Sequence, residues 1–181
     1  FFPYFKGEST ADGEEIYFAA RQGNDPLKWQ ELNDDKTVLR SGRGEKGLRD
    51  PFVIRSPEGD KFFLVATDLK IYGGNNFGNA QERGSLSLMI WESTDLVSWS
   101  DQRMVKVSSD YAGNTWAPEA FYDEAAGEYV VYWASALYPT TDSTDRKIAT
   151  SYQRMMYATT RDFVTFSEPQ IWVDRSEERR V

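Results

Sequence analysis

The chain has 181 residues, a formal net charge of −8, and neither histidine nor cysteine. The negative charge argues against a polyanionic partner such as nucleic acid. Without these two residue types there are no disulfides, no thiolate or imidazole metal ligands and no Ser-His-Asp apparatus, so acid–base chemistry falls to carboxylates, Tyr or Lys. No run of 18 apolar residues is present that could cross a membrane as a helix.

The chain opens at Phe1-Phe2-Pro3 rather than Met, so the native N-terminus is expected upstream; no signal peptide is visible. Short runs rich in Val, Ile, Phe, Tyr and Trp then follow at 16–19, 52–54, 61–66, 87–91, 103–107, 129–133, 155–158 and 170–173. Such residues fit a pleated surface. Polar stretches rich in Gly, Pro, Ser, Asn and Asp separate them, at 9–13, 56–60, 72–79, 123–127 and 140–145. No window keeps helical spacing over twelve residues. The chain reads as all-β, built from many short antiparallel strands. Aromatic residues make up 15% of it, enough for a core and for flat surfaces that stack on sugars.

Ser93-Thr94-Asp95-Leu96-Val97-Ser98-Trp99 returns as Thr160-Arg161-Asp162-Phe163-Val164-Thr165-Phe166, a step of 67 residues (162 − 95). At the same step Met89-Ile90-Trp91 lies over Met156-Tyr157-Ala158, Phe62–Val65 over Tyr129–Tyr132, and Pro51 over Pro118. Each repeat holds four strands, which is the pattern of a propeller blade. The predicted organisation is a partial propeller over 1–174: an N-terminal piece at 4–39, blade 1 at 48–107 and blade 2 at 116–174. Two related hairpin pairs in a sandwich are the competing arrangement. The long loops 69–84 and 136–152 are expected on one side, where loops line a site.

Asp50 stands directly before Pro51 at a strand entry, a carboxylate on a stiffened backbone. In the next repeat Trp116-Ala117-Pro118-Glu119 places an aromatic ring, a proline and a carboxylate together. Trp116 can be a core plug or a sugar-stacking ring, and Glu119 a solvated strand end or a partner for a hydroxyl. Arg49, Phe52, Asp68 and Trp133 are further candidates for the pocket wall.

Asp50-Pro51-Phe52-Val53-Ile54, Gly59–Leu64, Ser93–Trp99 and Trp116–Glu119, in this order and spacing, resemble glycoside hydrolase family 43. The resemblance covers roughly Tyr4 to Asp174. It implies a five-bladed β-propeller that acts as a β-xylosidase, α-L-arabinofuranosidase or arabinanase with inversion. It places the general base on Asp50, and Trp116 and Glu119 beside the pocket, although many members have Asp where this chain has Glu. A pKa-modulating Asp and a general-acid Glu, expected in the third and fourth blades, have no position here, so these residues alone are expected to be inactive and marginally stable. Relatives often hold calcium near the axis with a His; this chain has no His, and no metal or cofactor is expected. The implied partner is a plant cell-wall polysaccharide or oligosaccharide, with no nucleic acid or membrane, and the implied setting is extracellular and bacterial. A non-catalytic carbohydrate-binding propeller is the alternative; a protein-interaction propeller fits the long loops poorly. The tail 175–181, Arg-Ser-Glu-Glu-Arg-Arg-Val, matches a translated sequencing adapter and is expected to be non-native.

Overall fold

The computed structural model describes residues 1–174; the expected adapter-derived tail lies outside the described residues. Three antiparallel sheets follow one another along the chain. The first is a three-stranded sheet of β1 (Phe2–Tyr4), β2 (Tyr17–Arg21) and β3 (Trp29–Glu31). Blade 1 is a meander of β4 (Leu48–Arg55), β5 (Phe62–Asp68), β6 (Ser87–Ser93) and β7 (Arg103–Lys106). Blade 2 repeats it with β8 (Trp116–Asp123), β9 (Glu128–Ala136), β10 (Gln153–Thr160) and β11 (Gln170–Val173). The fold is mostly β, as the short apolar runs separated by turn residues predict.

Two cores explain the strand sequences. Ile16, Phe18 and Leu39 pack with Leu48, Leu64, Ala66, Met89 and Trp91 between the first sheet and blade 1. The other face of blade 1 gives Phe63, Val65, Leu88 and Ile90 to a second core with Ala120, Tyr129, Val131, Trp133, Met156, Ala158 and Phe163 of blade 2. Strand β5 is therefore buried on both faces and reads as a nearly continuous apolar run. The 67-residue step also relates the faces. Phe52, Ile54, Phe63, Val65, Leu88, Ile90 and Val105 pack at the inter-blade core. Their counterparts are Glu119, Phe121, Val130, Tyr132, Met155, Tyr157 and Trp172, which lie on the outer face of blade 2, where Trp172 is 51% exposed.

The loop at 69–84 contains α1 (Phe77–Arg83), which the spacing did not predict because seven residues are too few to show a helical period. Its start is marked locally: the Asn76 side chain accepts from the Asn79 N–H at 2.8 Å. The two long loops pack on each other. Arg146, buried in the second, donates to the carbonyls of Glu82 at 3.1 Å, Ala112 at 2.8 Å and Asp110 at 2.6 Å. Gly113 sits where a Cβ would lie 2.1 Å from the Gln81 carbonyl oxygen.

The repeated heptapeptides form the same turn twice. The Ser93 hydroxyl accepts from Leu96 N–H at 2.8 Å, and Asp95 accepts from Val97 and Ser98 N–H at 2.8 and 2.7 Å. Thr160 accepts from Phe163 N–H at 3.0 Å, and Asp162 from Val164 and Thr165 N–H at 2.8 Å each. Leu96 and Phe163 take the left-handed region, φ 63° and 53°, and Phe163 stacks on Phe63 with ring centroids 4.4 Å apart. These backbone donors hold the Asp95 and Asp162 carboxyls below the usual carboxylate range. A lowered folded-state value gives stability that is present above the unfolded value and is lost as pH falls through the folded one. The unfolding free energy should thus decline below about pH 4. The double substitution D95N/D162N should give a visibly flatter acid profile in urea titrations, and an unchanged profile would remove these turns as the cause.

Candidate active site

Asp50 and Ala117 occupy the same point of successive blades, 67 residues apart. In blade 1, Arg49 pairs with Thr67 and Phe52 with Val65, so Asp50 and Pro51 oppose Ala66 alone. In blade 2, Trp116 pairs with Ala134 and Glu119 with Tyr132, so Ala117 and Pro118 oppose Trp133 alone. Both are β-bulges of two residues against one. The proline has no N–H, so the bulge leaves no ladder donor stranded there. The residue before each proline is in the left-handed region, φ 48° at Asp50 and 50° at Ala117. A strand-entry Asp before proline is thus turned out of the pleat rather than kept extended.

The half-buried Asp50 accepts from the Thr67 hydroxyl through Oδ2 at 2.9 Å. The Thr67 oxygen in turn accepts from the Ala117 N–H at 2.8 Å, across the gap between blades. Arg49 is 7% exposed. Its guanidinium pairs with Glu8, lies 3.4 Å from a Glu14 oxygen, and sits 5.0 Å from the ring centroids of both Phe5 and Phe77. Glu14 is fully buried and also accepts from Ile71 and Tyr72 N–H at 2.8 and 2.9 Å. The Phe77 ring meets Trp116 edge-on at 6.4 Å. Phe77 and Tyr72 are 46% and 44% exposed. Asp50, Arg49 and Trp116 therefore gather at one end of the blades, beside exposed rings of the 69–84 loop.

The strand entry that carries Trp116 is fixed by a buried polar network. The Asn114 side chain donates to the Ala134 carbonyl and accepts from the Ala136 N–H, and it shares hydrogen bonds with the Gln153 amide. Thr115 donates to Ser108, and Ser135 to the Asn114 carbonyl, both at 2.7 Å.

Four of the expected pocket residues, Trp133, Phe52, Asp68 and Glu119, lie elsewhere. Trp133 is fully buried, its indole N–H held by the Ser108 and Ser135 hydroxyls at 2.9 and 3.0 Å; opposite the bulge, its ring points into the inter-blade core. Phe52 packs against that same core, because the bulge puts it on the apolar face. Asp68, 1% exposed, accepts from the Glu45 N–H at 2.9 Å and closes on the 42–47 loop. There Gly44 takes φ 57°, and a Cβ on it would lie 2.0 Å from Asp68 Oδ2. Glu119 is exposed on the outer face of blade 2 and accepts from the Tyr132 hydroxyl at 2.6 Å. That hydrogen bond, with burial, pushes the Tyr132 phenol up to about 12. Thr67, Glu14 and Phe77 were not singled out by sequence. A lone hydroxyl inside the apolar run of β5 was the one available signal for Thr67. Among the described residues no three Asp or Glu side chains converge into a metal-holding cluster.

Successive four-stranded blades, with a carboxylate turned out at a bulge beside exposed rings, make a partial β-propeller with a candidate site at one end. Residues 1–180 match the family described as "Probable glycosyl hydrolase domain", a group related to glycoside hydrolase family 43, and the chain belongs to that family. It is 37% identical over 187 aligned positions to an α-L-arabinofuranosidase of Bifidobacterium longum subsp. longum; the match covers 97% of this chain and 17% of that protein. The chain thus spans about a sixth of that relative. Among solved structures, it is similar in fold to an α-L-arabinanase of Penicillium chrysogenum complexed with arabinobiose, at 18% identity and TM-score 0.54, covering 89% of this chain and 42% of that one. An α-L-arabinofuranosidase of Fusarium graminearum in complex with an iminosugar inhibitor matches at 16% identity and TM-score 0.50, covering 87% and 40%.

Burial pushes the Asp68 carboxyl up, and it pushes up Glu45 as well, with Asp68's charge adding to the effect. A raised folded-state value gives stability that is complete below the unfolded value and is lost as pH rises through the folded one. Asp68→Asn should therefore gain stability relative to the parent as pH rises from about 4 to 7. Denaturant midpoints measured across that range check this; a pH-independent difference would contradict it.

Proposed function

We propose that this chain is part of the catalytic domain of a glycoside hydrolase that cleaves arabinose- or xylose-containing plant polysaccharides or oligosaccharides, outside the cell, with inversion. The observation that carries the reading is Asp50, a carboxylate turned out of the strand at φ 48° and held through one oxygen by Thr67. The family membership and the arabinofuranosidase relative support arabinose first.

In this reading Asp50 takes the proton from a water as that water attacks the anomeric carbon. Oδ2 is anchored on Thr67, which leaves Oδ1 to meet the water. The neighbouring Arg49 is already committed to Glu8 and Glu14, so it does not neutralise the base. Trp116 and Phe77 offer ring faces and edges to the sugar. Inversion needs a second carboxyl group about 6.5–9.5 Å from the first, protonated so that it can deliver a proton to the leaving oxygen. That group comes from the full-length protein outside residues 1–174. Glu119 is not given the role, because its carboxylate is engaged with Tyr132 on the outer face of blade 2.

The test is Asp50→Asn in the full-length protein, assayed on nitrophenyl arabinofuranoside and nitrophenyl xyloside. A positioned general base contributes about 10²–10⁴-fold, so kcat should fall by that factor. NMR of the first-formed anomer reports inversion. Retention of most activity by Asp50→Asn would sink the base assignment. Sugar binding without turnover by the parent protein would favour a carbohydrate-binding propeller instead.

A further inference from the structure

We propose that Thr67 is a positioning residue that sets the Asp50 carboxylate and ties it to the Trp116 strand; this rests on the reading of Asp50 as the base. A hydroxyl has one proton to give. Ala117 meets the Thr67 oxygen with an N–H at 2.8 Å, and an amide nitrogen cannot accept. The hydroxyl proton is therefore free for Asp50 Oδ2, 2.9 Å away. The result is a directed chain, Ala117 N–H to Thr67 O–H to Asp50, and Thr67 at its centre is fully buried.

The second blade provides an internal control. It makes the same bulge, with the same pairing and nearly the same positive φ, from Ala117. The counterpart of Thr67 one repeat later is Ala134 (67 + 67), which pairs with Trp116 as Thr67 pairs with Arg49. The second bulge therefore forms without a hydroxyl on its own partner strand, its Ala117 N–H being met by Thr67 of blade 1. The blade that has the hydroxyl is the one that has the carboxylate: Asp50 with Thr67, against Ala117 with Ala134. A threonine serving only the strand would be equally at home in either blade. Here its two hydrogen bonds run to the two left-handed residues of neighbouring blades, Asp50 at φ 48° and Ala117 at φ 50°. Thr67 thus fixes the carboxylate's rotamer and makes the position of Trp116, next to Ala117, depend on it.

The expected behaviour separates positioning from mere packing. In the full-length enzyme Thr67→Val keeps the shape but loses both hydrogen bonds. Its kcat should fall by about 10²-fold, the cost of a misplaced catalytic group, with KM changed less than about threefold. Thr67→Ser, which restores the hydroxyl, should recover kcat to within about threefold of the parent. In the Asp50→Asn background Thr67→Val should cost little more, because it acts through Asp50. If Asp50→Asn is inactive while Thr67→Val turns over like the parent, the role of Thr67 is overturned and that of Asp50 stands. If Asp50→Asn stays active, the base reading fails instead. Should Thr67→Val not fold, amide exchange decides. Removing the acceptor in Asp50→Ala frees Thr67 to change its χ1 rotamer and carry its oxygen away from Ala117, so the Ala117 amide should exchange at least about tenfold faster than in the parent, against little change at the Phe121 amide in mid-strand. Equal Ala117 exchange in the two proteins would overturn the proposal.

Discussion

The bulge before each proline is the constraint on which the site depends. A strand that stayed regular through Asp50 would put this side chain into the pleat, against one of the two cores that flank β5. Two residues opposing one, with the second lacking an N–H, allow the chain to turn there without stranding a donor. A non-glycine residue in the left-handed region costs about 1–3 kcal/mol and persists only where its surroundings over-determine it. The surroundings here are specific: a sheet packed on each face of blade 1, Pro51 and Pro118 fixing the next φ, and a buried hydroxyl bonded to both turned residues. Backbone conformation, inter-blade packing and the direction of one carboxylate are thus a single problem with a single solution.

Charge around the bulge follows the same economy. Arg49 is nearly sealed from solvent between two rings, and its charge is met by Glu8 and by the fully buried Glu14. A buried cation without such partners would be strongly destabilising. Because Glu14 also receives two N–H groups from the loop that leads to α1, the N-terminal segment, blade 1 and the exposed ring of Phe77 are fastened together. Arg146 does a comparable job for the second long loop, donating to backbone carbonyls and lying over the Tyr138 ring, so a buried guanidinium helps set the two loops against each other.

Much of this was legible in the sequence, for identifiable reasons. The strands show because β5 and β9 are short runs of apolar and aromatic residues bounded by turn residues. The 67-residue step shows because the turn built on Asp95 and Asp162 needs the same hydroxyl, carboxylate and left-handed residue each time. Asp50 stood out through its proline. What failed was direction. Phe52 and Glu119 have the residue types of a sugar pocket, but the parity of a strand beyond a bulge decides which face they take, and the sequence does not display a bulge until its partner strand is known. Helix α1 is too short to carry a period. Thr67 reads as an ordinary strand former, because its role lies in a contact with a residue 50 positions away in the next blade.

The hydrogen bond between Glu119 and Tyr132 has a consequence for assembly order. Faces related by one repeat step are close copies, and close copies invite a sheet to seat itself one place too early. The outer face of blade 2 keeps the apolar character of its counterpart in blade 1 at Phe121, Val130, Met155 and Trp172. At Phe52, Val65 and Ile90 it differs, carrying a carboxylate and two phenols instead, Glu119, Tyr132 and Tyr157. Seated in the place of blade 1, that face would take the Glu119 carboxyl group into an apolar core with Tyr132 alone as its hydrogen-bond partner, at a large desolvation cost. Three polar side chains therefore count energetically against seating these related modules out of sequence.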